Sequence, residues 1–381
     1  MRVAVVGARG IPNVCGGVER HCEELYPRLV SQGIDVTVYG RLRYASGGDY
    51  GGVRIISVRS PKSKALETLI STRNAVSIAS REHFDLLHIH SVGPANVIPL
   101  ARRLGFRRVV VTIHAPDYLQ AKWGRLARWY LMRGERLAAT GANALIVVSQ
   151  AVEEKIASAH GRAAKVIPNG PGRTERRPAG EFLRSLELNG KDYLLFVGRL
   201  IPDKRVEDLI TAVQLGEFDL KVVVAGDSSH TNSYVNALKN SAAGNVIFPG
   251  CVYGKELDEL YSNAIAFVLP SAIEGLSVSL LEAMASELPV VASDIPANRE
   301  AVGSEECGIL YPLGDAKLLA DALQRVVGDA RLRMEIGANA RRRVERVFSW
   351  DVIAHETARV YKAVLGEAGE EYHLTSSVIG K

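Results

Sequence analysis

Hydrophobic residues open the chain in an unbroken run and then change to a spaced pattern. The apolar run at residues 3–6 is typical of a strand buried on both faces. A glycine-rich loop over 7–17 follows, and apolar residues then recur at helical spacing to residue 31. Gly33 ends this helix, and residues 34–39 form the next predicted strand. Strand, loop, helix and strand predict a right-handed βαβ unit.

The same alternation continues and later starts afresh. Further strands are predicted at 53–58, 86–90, 109–114 and 144–148, with helical patterns between them. Residues 171–190 are richer in Gly, Pro and Arg and predict a linker. A second series begins at the predicted strand 193–197 and runs to the predicted strand 290–292. Two such series predict an α/β protein with two doubly wound, Rossmann-like domains.

Composition narrows the class of protein. The chain has 381 residues, more than one core usually supports, and 47% hydrophobic with 23% charged residues excludes wholesale disorder. Four cysteines without a C-x-x-C pair argue against a disulfide scaffold and favour a reducing, cytosolic compartment. The first apolar run is too short for a signal sequence, and none spans a bilayer. A net charge of +5 suits an anionic substrate or membrane surface without indicating nucleic acid.

A glycine pair lies where the first helix begins. Gly16 and Gly17 are spaced too late after the strand for a dinucleotide fingerprint, since Ala8 and Arg9 interrupt it. Bare glycines at a helix N-terminus let a phosphate approach backbone N–H groups. A plain flexible turn is the alternative.

Charged side chains follow two strands of the second series, at the edge where parallel sheets bind ligands. Arg199 and Lys204 come after the strand 193–197 and could clamp a diphosphate, with surface charge as the alternative. Glu274 lies in the loop after another strand, and Glu282 lies on the apolar helix that Ser277 is predicted to cap. Two carboxylates at this spacing could accept hydrogen bonds from a sugar and a ribose, although a paired structural glutamate is also possible.

Residues 274–282 resemble the E-x7-E motif of the retaining glycosyltransferases of family 4, which have the GT-B fold. Other segments resemble further motifs of the family, in order along nearly the whole chain: Gly16-Gly17-Val18-Glu19, Thr112-Ile113-His114, Val148-Ser149, Pro168-Asn169-Gly170, Gly198-Arg199 with Lys204, Val291-Ala292-Ser293 and residues 308–312. The resemblance implies two Rossmann-like domains that face an interdomain cleft. We expect an acceptor-binding domain over 1–180, completed by a C-terminal helical segment at 351–381, and a nucleotide-sugar-binding domain over 190–350.

The resemblance also implies roles for individual residues. His114 and Glu274 are the implied catalytic residues, His114 orienting the sugar and Glu274 binding its hydroxyls. Residues implied to bind the donor are Gly16, Gly17, Arg199, Lys204, Gly275, Leu276, Ser277 and Glu282. No metal and no other cofactor is expected, because the cations and helix dipoles would neutralise the leaving diphosphate.

The implied activity is transfer of a sugar, with retention of configuration, from a nucleotide-diphosphate-sugar donor to a hydroxyl of a glycan or lipid-linked glycan acceptor. Synthesis of cell-surface polysaccharide or glycolipid is the expected role, in the cytoplasm and peripherally at the inner face of the membrane. The alternatives are a nucleotide-sugar epimerase of the same architecture, an NAD-dependent enzyme, and a non-catalytic nucleotide-sugar-binding protein.

Two further patterns carry candidate chemistry. His88 and His90 alternate on one strand and could ligate a metal, although strand histidines are often only hydrogen-bonded. On a helical wheel of 122–137, arginines form one arc that includes Trp129 and Met132, and Leu126 joins the adjacent apolar arc. This helix either packs by its apolar side or meets anionic lipid. Lys62 and Lys64 add positive charge to the same domain.

Overall fold

A computed structural model describes residues 1–61, 66–172, 175–227, 232–242 and 244–367. Lys62, Lys64 and residues 368–381 of the expected C-terminal segment lie outside the described residues. The chain divides into two compact units, one formed by Met1–Gly170 and Ser349–Lys381 and the other by Pro171–Phe348.

The first unit is built on an eight-stranded sheet. Its strands are β1 (Arg2–Val6), β2 (Asp35–Arg41), β3 (Gly48–Tyr50), β4 (Val53–Val58), β5 (Leu86–His90), β6 (Val109–Ile113), β7 (Ala144–Val147) and β8 (Lys165–Val166). Their order is β3-β4-β2-β1-β5-β6-β7-β8, and all neighbours are parallel except β3 with β4. Its helices are α1 (Gly17–Ser31), α2 (Glu67–Ala79), α3 (Ile98–Arg103), α4 (Arg125–Gly141) and α5 (Gln150–His160).

The second unit has a six-stranded parallel sheet in the order β11-β10-β9-β12-β13-β14. Its strands are β9 (Tyr193–Val197), β10 (Lys221–Ala225), β11 (Val246–Gly250), β12 (Ala266–Leu269), β13 (Val290–Ser293) and β14 (Ile309–Tyr311). Its helices are α6 (Glu181–Ser185), α7 (Val206–Leu215), α8 (Asn232–Ser241), α9 (Gly254–Asn263), α10 (Val278–Ala285), α11 (Pro296–Val302), α12 (Ala316–Gly328) and α13 (Ala330–Val347). The last helix, α14 (Trp350–Leu365), belongs to the first unit.

Burial explains why the strands could be located from the sequence. Side chains of β5, β6 and β7 are buried along their whole length, because helices cover both faces of a parallel sheet. Helix α14 adds Trp350, Ile353 and Tyr361 to the core that α1 covers, which is why the end of the chain belongs with its beginning. The predicted α/β class with two doubly wound domains is confirmed.

Residues 171–190 do not form the expected linker, because they begin the second unit. Helix α6 buries Leu183, and the carboxylate of Glu259 on α9 accepts hydrogen bonds from the backbone N–H groups of Gly180 (2.6 Å) and Leu183 (3.0 Å). The Gly, Pro and Arg content of this segment suggested a linker. Local composition could not reveal the contacts with Glu259, because that residue lies more than seventy positions away in the sequence. The predicted borders at 180 and 190 therefore move to 170 and 171.

Candidate active site

The second unit brings two of the expected donor-binding side chains into contact. Strands β9 and β12 are parallel neighbours, so the loops after both strands leave the same edge of the sheet. Lys204 ends a short 3₁₀ helix in the first loop, and its ammonium group forms an ion pair with the carboxylate of Glu274 in the second. Only 13% of the Lys204 side chain and 10% of the Glu274 side chain are exposed. Such a pair positions a cation and a hydrogen-bond acceptor side by side in a partly dry environment.

Backbone hydrogen bonds hold the Glu274 loop in place. The N–H of Ala272 donates to the carbonyl of Asp203 (2.8 Å), which connects this loop to the 3₁₀ helix that carries Lys204. On the opposite side, the hydroxyl of Ser293 donates to the carbonyl of Ser271 (2.5 Å). The loop that carries Glu274 is therefore held by the segment after β9 and by the last residue of β13, as a preorganised binding loop requires.

Helix α10 begins and continues as expected. The hydroxyl of Ser277 accepts a hydrogen bond from the N–H of Leu280 (3.4 Å), which confirms the predicted cap. Gly275, Leu276 and Ser277 are buried just before the helix. Glu282 is 4% exposed, and its carboxylate accepts a hydrogen bond from the Tyr261 hydroxyl (2.9 Å). Tyr261 thus offsets part of the cost of burying this carboxylate, and it orients Glu282 on α10.

Arg199 belongs to the same edge but not to the ion pair. It follows β9 and is partly buried, and no described residue forms an ion pair or a side-chain hydrogen bond with its guanidinium. Directly before it, Gly198 lies against Gly226, where a Cβ atom would be 1.8 Å from the Gly198 carbonyl oxygen. The absence of a side chain at Gly226 therefore lets the loops after β9 and β10 touch through their backbones.

In the first unit, Gly16 and Gly17 open α1 as predicted, beside a buried ion pair. Arg9 and Glu19 are joined by two side-chain contacts of 3.0 and 3.1 Å, and the Arg9 backbone N–H also donates to Glu19 (2.9 Å). A Cβ atom on Gly16, at φ 143°, would lie 2.3 Å from a Glu19 carboxylate oxygen. Burial would raise the pKa of Glu19, but Arg9 outweighs it and holds this pKa below its ordinary value. Glycine is thus required here to make room for the ion pair.

His114 follows β6 and lies in a buried cluster of imidazoles. Its Nε2 atom is 2.9 Å from Nδ1 of His90, and its ring is 4.8 Å from that of His21, which contacts Asn169 through Nδ1 (2.9 Å). The other nitrogen of His90 forms a hydrogen bond with the hydroxyl of Tyr26 on α1. Within the described residues Nδ1 of His114 is buried and has no hydrogen-bond partner. That nitrogen is the one left for a ligand.

Strand β5 extends the cluster into the core. Nδ1 of His88 lies within hydrogen-bond distance of the Tyr26 hydroxyl (3.0 Å) and the Tyr361 hydroxyl (2.6 Å), and Nε2 contacts the Thr112 hydroxyl (2.8 Å). The two strand histidines, His88 and His90, are therefore hydrogen-bonded, which was the alternative to metal ligation in the sequence analysis. Tyr361 belongs to α14, so the network also ties the end of the chain to β5.

Burial keeps these imidazoles neutral. It lowers the pKa of His21 to about 4 and that of His88 to about 3, and it lowers the pKa values of His90 and His114 well below the ordinary 6.5. Each ring consequently carries one proton at neutral pH, on one nitrogen or the other.

Comparison with known proteins identifies the family. Residues 15–171 match the family model described as Glycosyltransferase Family 4, and residues 181–343 match the model described as Glycosyl transferases group 1. The chain belongs to the family 4 glycosyltransferases.

Relatives match the glycosyltransferase over nearly its whole length. An uncharacterized glycosyltransferase of Methanocaldococcus jannaschii is 29% identical over 97% of this chain and 100% of its own. An MMP alpha-(1->4)-mannosyltransferase of Mycolicibacterium hassiacum is 27% identical over 96% of this chain and 98% of its own. The solved sucrose-phosphate synthase of Thermosynechococcus elongatus superposes with a TM-score of 0.82 at 23% identity, covering 96% of this chain and 100% of that one. The GT-B fold implied by the sequence motifs is thereby confirmed.

Three histidines of the enzyme are close enough to be considered as a metal site. Ligand atoms of His21, His90 and His114 lie within 4.8 Å of one another. Both ring nitrogens of His90, however, already have partners in Tyr26 and His114. A metal ion could use His90 only by displacing one of them, so the arrangement fits a hydrogen-bonded network better than a preformed tetrahedral site.

Three members of this network had no recognisable signal in the sequence. His21 and Tyr26 lie on α1 among ordinary helical positions, and Tyr361 lies on the last helix. Their contacts join residues separated by 64 positions for Tyr26 and His90, and by 273 for His88 and Tyr361. Only knowledge that α1 and α14 pack beside β5 could have found them.

Helix α4 of the enzyme exposes apolar residues among arginines. Trp129 and Met132 are 61% and 51% exposed, as their place in the basic arc predicted. Leu126 is 85% exposed, so its assignment to the packed apolar arc is wrong. Other members of the predicted apolar arc do face the core, because Leu131 is buried there and Tyr130 and Leu137 are partly buried against it. Among the described residues, no helix is long and apolar enough to cross a membrane.

Proposed function

We propose that the enzyme transfers a sugar from a nucleoside diphosphate sugar to a hydroxyl of a glycan or lipid-linked glycan. The observation that carries the proposal is the contact between Lys204 and Glu274 at the carboxyl edge of the second sheet. The family resemblance assigns these residues to the diphosphate and the donor sugar. Their contact supports the proposal, because phosphate and sugar hydroxyls are adjacent groups of such a donor and suit a cation and a neighbouring carboxylate.

Departure of the diphosphate is the step that these residues assist. As the bond to the sugar breaks, negative charge grows on the leaving phosphate, and Arg199 and Lys204 stabilise it. N–H groups at the start of α10, after Gly275-Leu276-Ser277, add a positive dipole end. Glu282, oriented by Tyr261, accepts hydrogen bonds from the ribose.

The first unit contributes groups that act on the transferred sugar and its acceptor. The family resemblance assigns His114, whose Nδ1 has no hydrogen-bond partner among the described residues, to the donor sugar, and it assigns the backbone N–H groups at Gly16 and Gly17 to the phosphates or the sugar. Transfer proceeds with retention of configuration and without a metal ion. We therefore expect nuclear magnetic resonance of the first product to show the donor's anomeric configuration, and we expect the rate to be unchanged after treatment with EDTA.

Donor binding is tested by thermal shift with UDP-, GDP-, dTDP- and ADP-sugars, GDP-mannose among them. We expect one nucleotide class to raise the melting temperature of the enzyme, and we expect Glu282→Gln to remove most of that rise. Glu259→Gln is the matched control, because this carboxylate is also buried in the second unit but binds the backbone at the start of α6. Equal rises in both variants would remove Glu282 from the donor site.

Turnover distinguishes the proposal from its alternatives. With the best donor and a suitable acceptor, we expect the enzyme to release nucleoside diphosphate in step with the glycosylated product. A non-catalytic binding protein would show the thermal shift without this release, and an epimerase would yield a changed sugar still bound to the nucleotide.

We further propose that the acceptor is met at an anionic membrane surface on the cytoplasmic side, where α4 docks. Leu126, Trp129 and Met132 are spaced at three-residue intervals and exposed, and the outward positions beside them carry arginines. The only acidic residue of α4, Glu135, is buried and bonded to His160 (3.0 Å). The exposed side of α4 thus combines apolar groups with positive charge and carries no carboxylate.

Co-sedimentation with vesicles tests the docking surface. We expect the enzyme to sediment with vesicles containing phosphatidylglycerol at low salt, and less with pure phosphatidylcholine. Trp129→Ser should weaken sedimentation severalfold. Met334→Ser is the control, because Met334 is 70% exposed on α13 in the other unit. Equal sedimentation of both variants, or none by the unchanged protein, would refute membrane docking through α4.

A further inference from the structure

A chain of hydrogen bonds leads from α1 to the unpartnered nitrogen of His114. The Tyr26 hydroxyl contacts Nε2 of His90, and Nδ1 of His90 contacts Nε2 of His114 at 2.9 Å. All three side chains are buried, so water does not compete for these bonds. Two bonds in series through one imidazole make the state of each end depend on the other.

The hydrogen bonds from Tyr26 through His90 to His114 allow two arrangements of protons when both imidazoles are neutral. If His90 carries its proton on Nδ1, it donates to Nε2 of His114, and the His114 proton must lie on Nδ1. If His90 carries its proton on Nε2, it donates to Tyr26, and His114 must donate from Nε2 to Nδ1 of His90. In the first state His114 offers a ligand an N–H donor, and in the second it offers a lone pair. A neutral histidine is thus converted from donor to acceptor by its neighbour.

The acidity of the Tyr26 phenol favours the first state, in which His90 carries its proton on Nδ1. A phenolic O–H is a much stronger acid than a neutral imidazole N–H, so the favoured direction is from Tyr26 to the lone pair of His90 Nε2. Burial raises the pKa of Tyr26 well above its ordinary value, with Tyr361 adding to the effect, so the hydroxyl keeps its proton. Nδ1 of His88 also lies 3.0 Å from this hydroxyl and can donate to its oxygen, which leaves the phenol proton for His90.

We propose that Tyr26 and His90 are positioning residues that fix the Nδ1–H tautomer of His114, so that His114 donates a hydrogen bond into the active site. The recipient is a hydroxyl or phosphate oxygen of the donor, and this part of the inference rests on the proposed function. The tautomer itself does not, because it is a property of the ligand-free enzyme.

Nuclear magnetic resonance of the full-length enzyme labelled with ¹⁵N-histidine measures the tautomer directly. The unprotonated nitrogen of a neutral imidazole resonates far downfield of the N–H nitrogen, and two-bond and three-bond couplings to the ring protons tell Nδ1 from Nε2. Signals of His114 are assigned by their loss in His114→Gln. We expect His90 and His114 both to carry the proton on Nδ1. A proton on Nε2 of His114 in the unchanged enzyme overturns the proposal without any variant being needed.

Removal of a single hydroxyl tests the role of Tyr26. In Tyr26→Phe the fixed direction is lost, so the two nitrogen shifts of His114 should move toward each other as both tautomers become populated. Tyr39→Phe is the matched control, since it deletes a buried phenol hydroxyl on β2 that has no hydrogen-bond partner among the described residues. The control variant should leave the ¹⁵N shifts of His114 unchanged. If the His114 shifts are also unchanged in folded Tyr26→Phe, the proposed role of Tyr26 is wrong.

Addition of the best donor separates this inference from the proposed function. If both are correct, the Nδ1 signal of His114 moves on titration with the nucleotide sugar. If the tautomer is as proposed but no nucleotide sugar moves the signal, the donor assignment of His114 fails and the tautomer assignment stands.

Discussion

Mild acid should destabilise the first unit of the enzyme through its buried histidines. His21 and His88 have pKa values of about 4 and about 3 in the folded chain, against 6.5 when unfolded. Between these values the unfolded chain binds a proton that the folded chain does not. The free energy of unfolding therefore has its full value above about pH 6.5 and decreases as the pH falls toward 3.

The size of the effect follows from the shifts. At about pH 5 nearly every unfolded histidine is protonated, and His21 and His88 are still neutral when folded. Each then lowers the free energy of unfolding by about 2 kcal/mol relative to neutral pH. The pair should thus cost about 4 kcal/mol, and His90 and His114, whose pKa values are also lowered by burial, add to it.

Tryptophan fluorescence isolates the relevant unit, because Trp123, Trp129 and Trp350 all lie in the first one. Urea unfolding curves at about pH 7 and pH 5 give the two free energies. In His21→Gln the difference between them should shrink by about 2 kcal/mol, since glutamine takes up no proton in either state. His355→Gln, which alters an exposed histidine on α14, is the control and should leave the difference unchanged.

A free energy of unfolding that does not change with pH would contradict the burial of these histidines as neutral bases. If unfolding of the unchanged enzyme required the same free energy at both pH values, the four imidazoles could not be buried as neutral bases. If His21→Gln and His355→Gln shifted the difference equally, the acid sensitivity would arise elsewhere in the unit.

Two further changes test packing beside the site. Glu19→Gln leaves Arg9 without its buried counter-charge and should lower the free energy of unfolding of the first unit by about 3 kcal/mol. Urea unfolding followed by tryptophan fluorescence measures this loss. A loss below about 1 kcal/mol would contradict a stabilising role of the Arg9–Glu19 ion pair. Gly226→Ala forces a Cβ atom to within 1.8 Å of the Gly198 carbonyl oxygen, so the second unit should lose about 3 kcal/mol and faster hydrogen exchange should appear in β9 and β10. Gly328→Ala has open space around its Cβ and should leave exchange in those strands as it was.

Local patterns were sufficient to locate most of the fold. Residues 193–197 were predicted as a strand and form β9, and Ser149 and Ser277 cap the helices expected after them. Strand β3, which has three residues and is exposed or half-buried throughout, has no comparable apolar signal. The wheel of α4 placed Trp129 correctly and Leu126 wrongly, because an arc of mixed apolar and basic residues does not reveal which edge of it touches the core.

The two alternating series, the glycines at the sheet edges and the chemical types of four charged residues could all be identified from the sequence, the four being Arg199, Lys204, Glu274 and Glu282. These features follow from short-range periodicity and from the order of the motifs, both of which are visible in the amino-acid sequence. Which of these side chains are in contact depends on the three-dimensional packing. Lys204 and Glu274 are 70 positions apart, and the neighbours that fix His114 come from α1 and β5. Contacts of that kind depend on how helices pack on a sheet, and no local pattern records them.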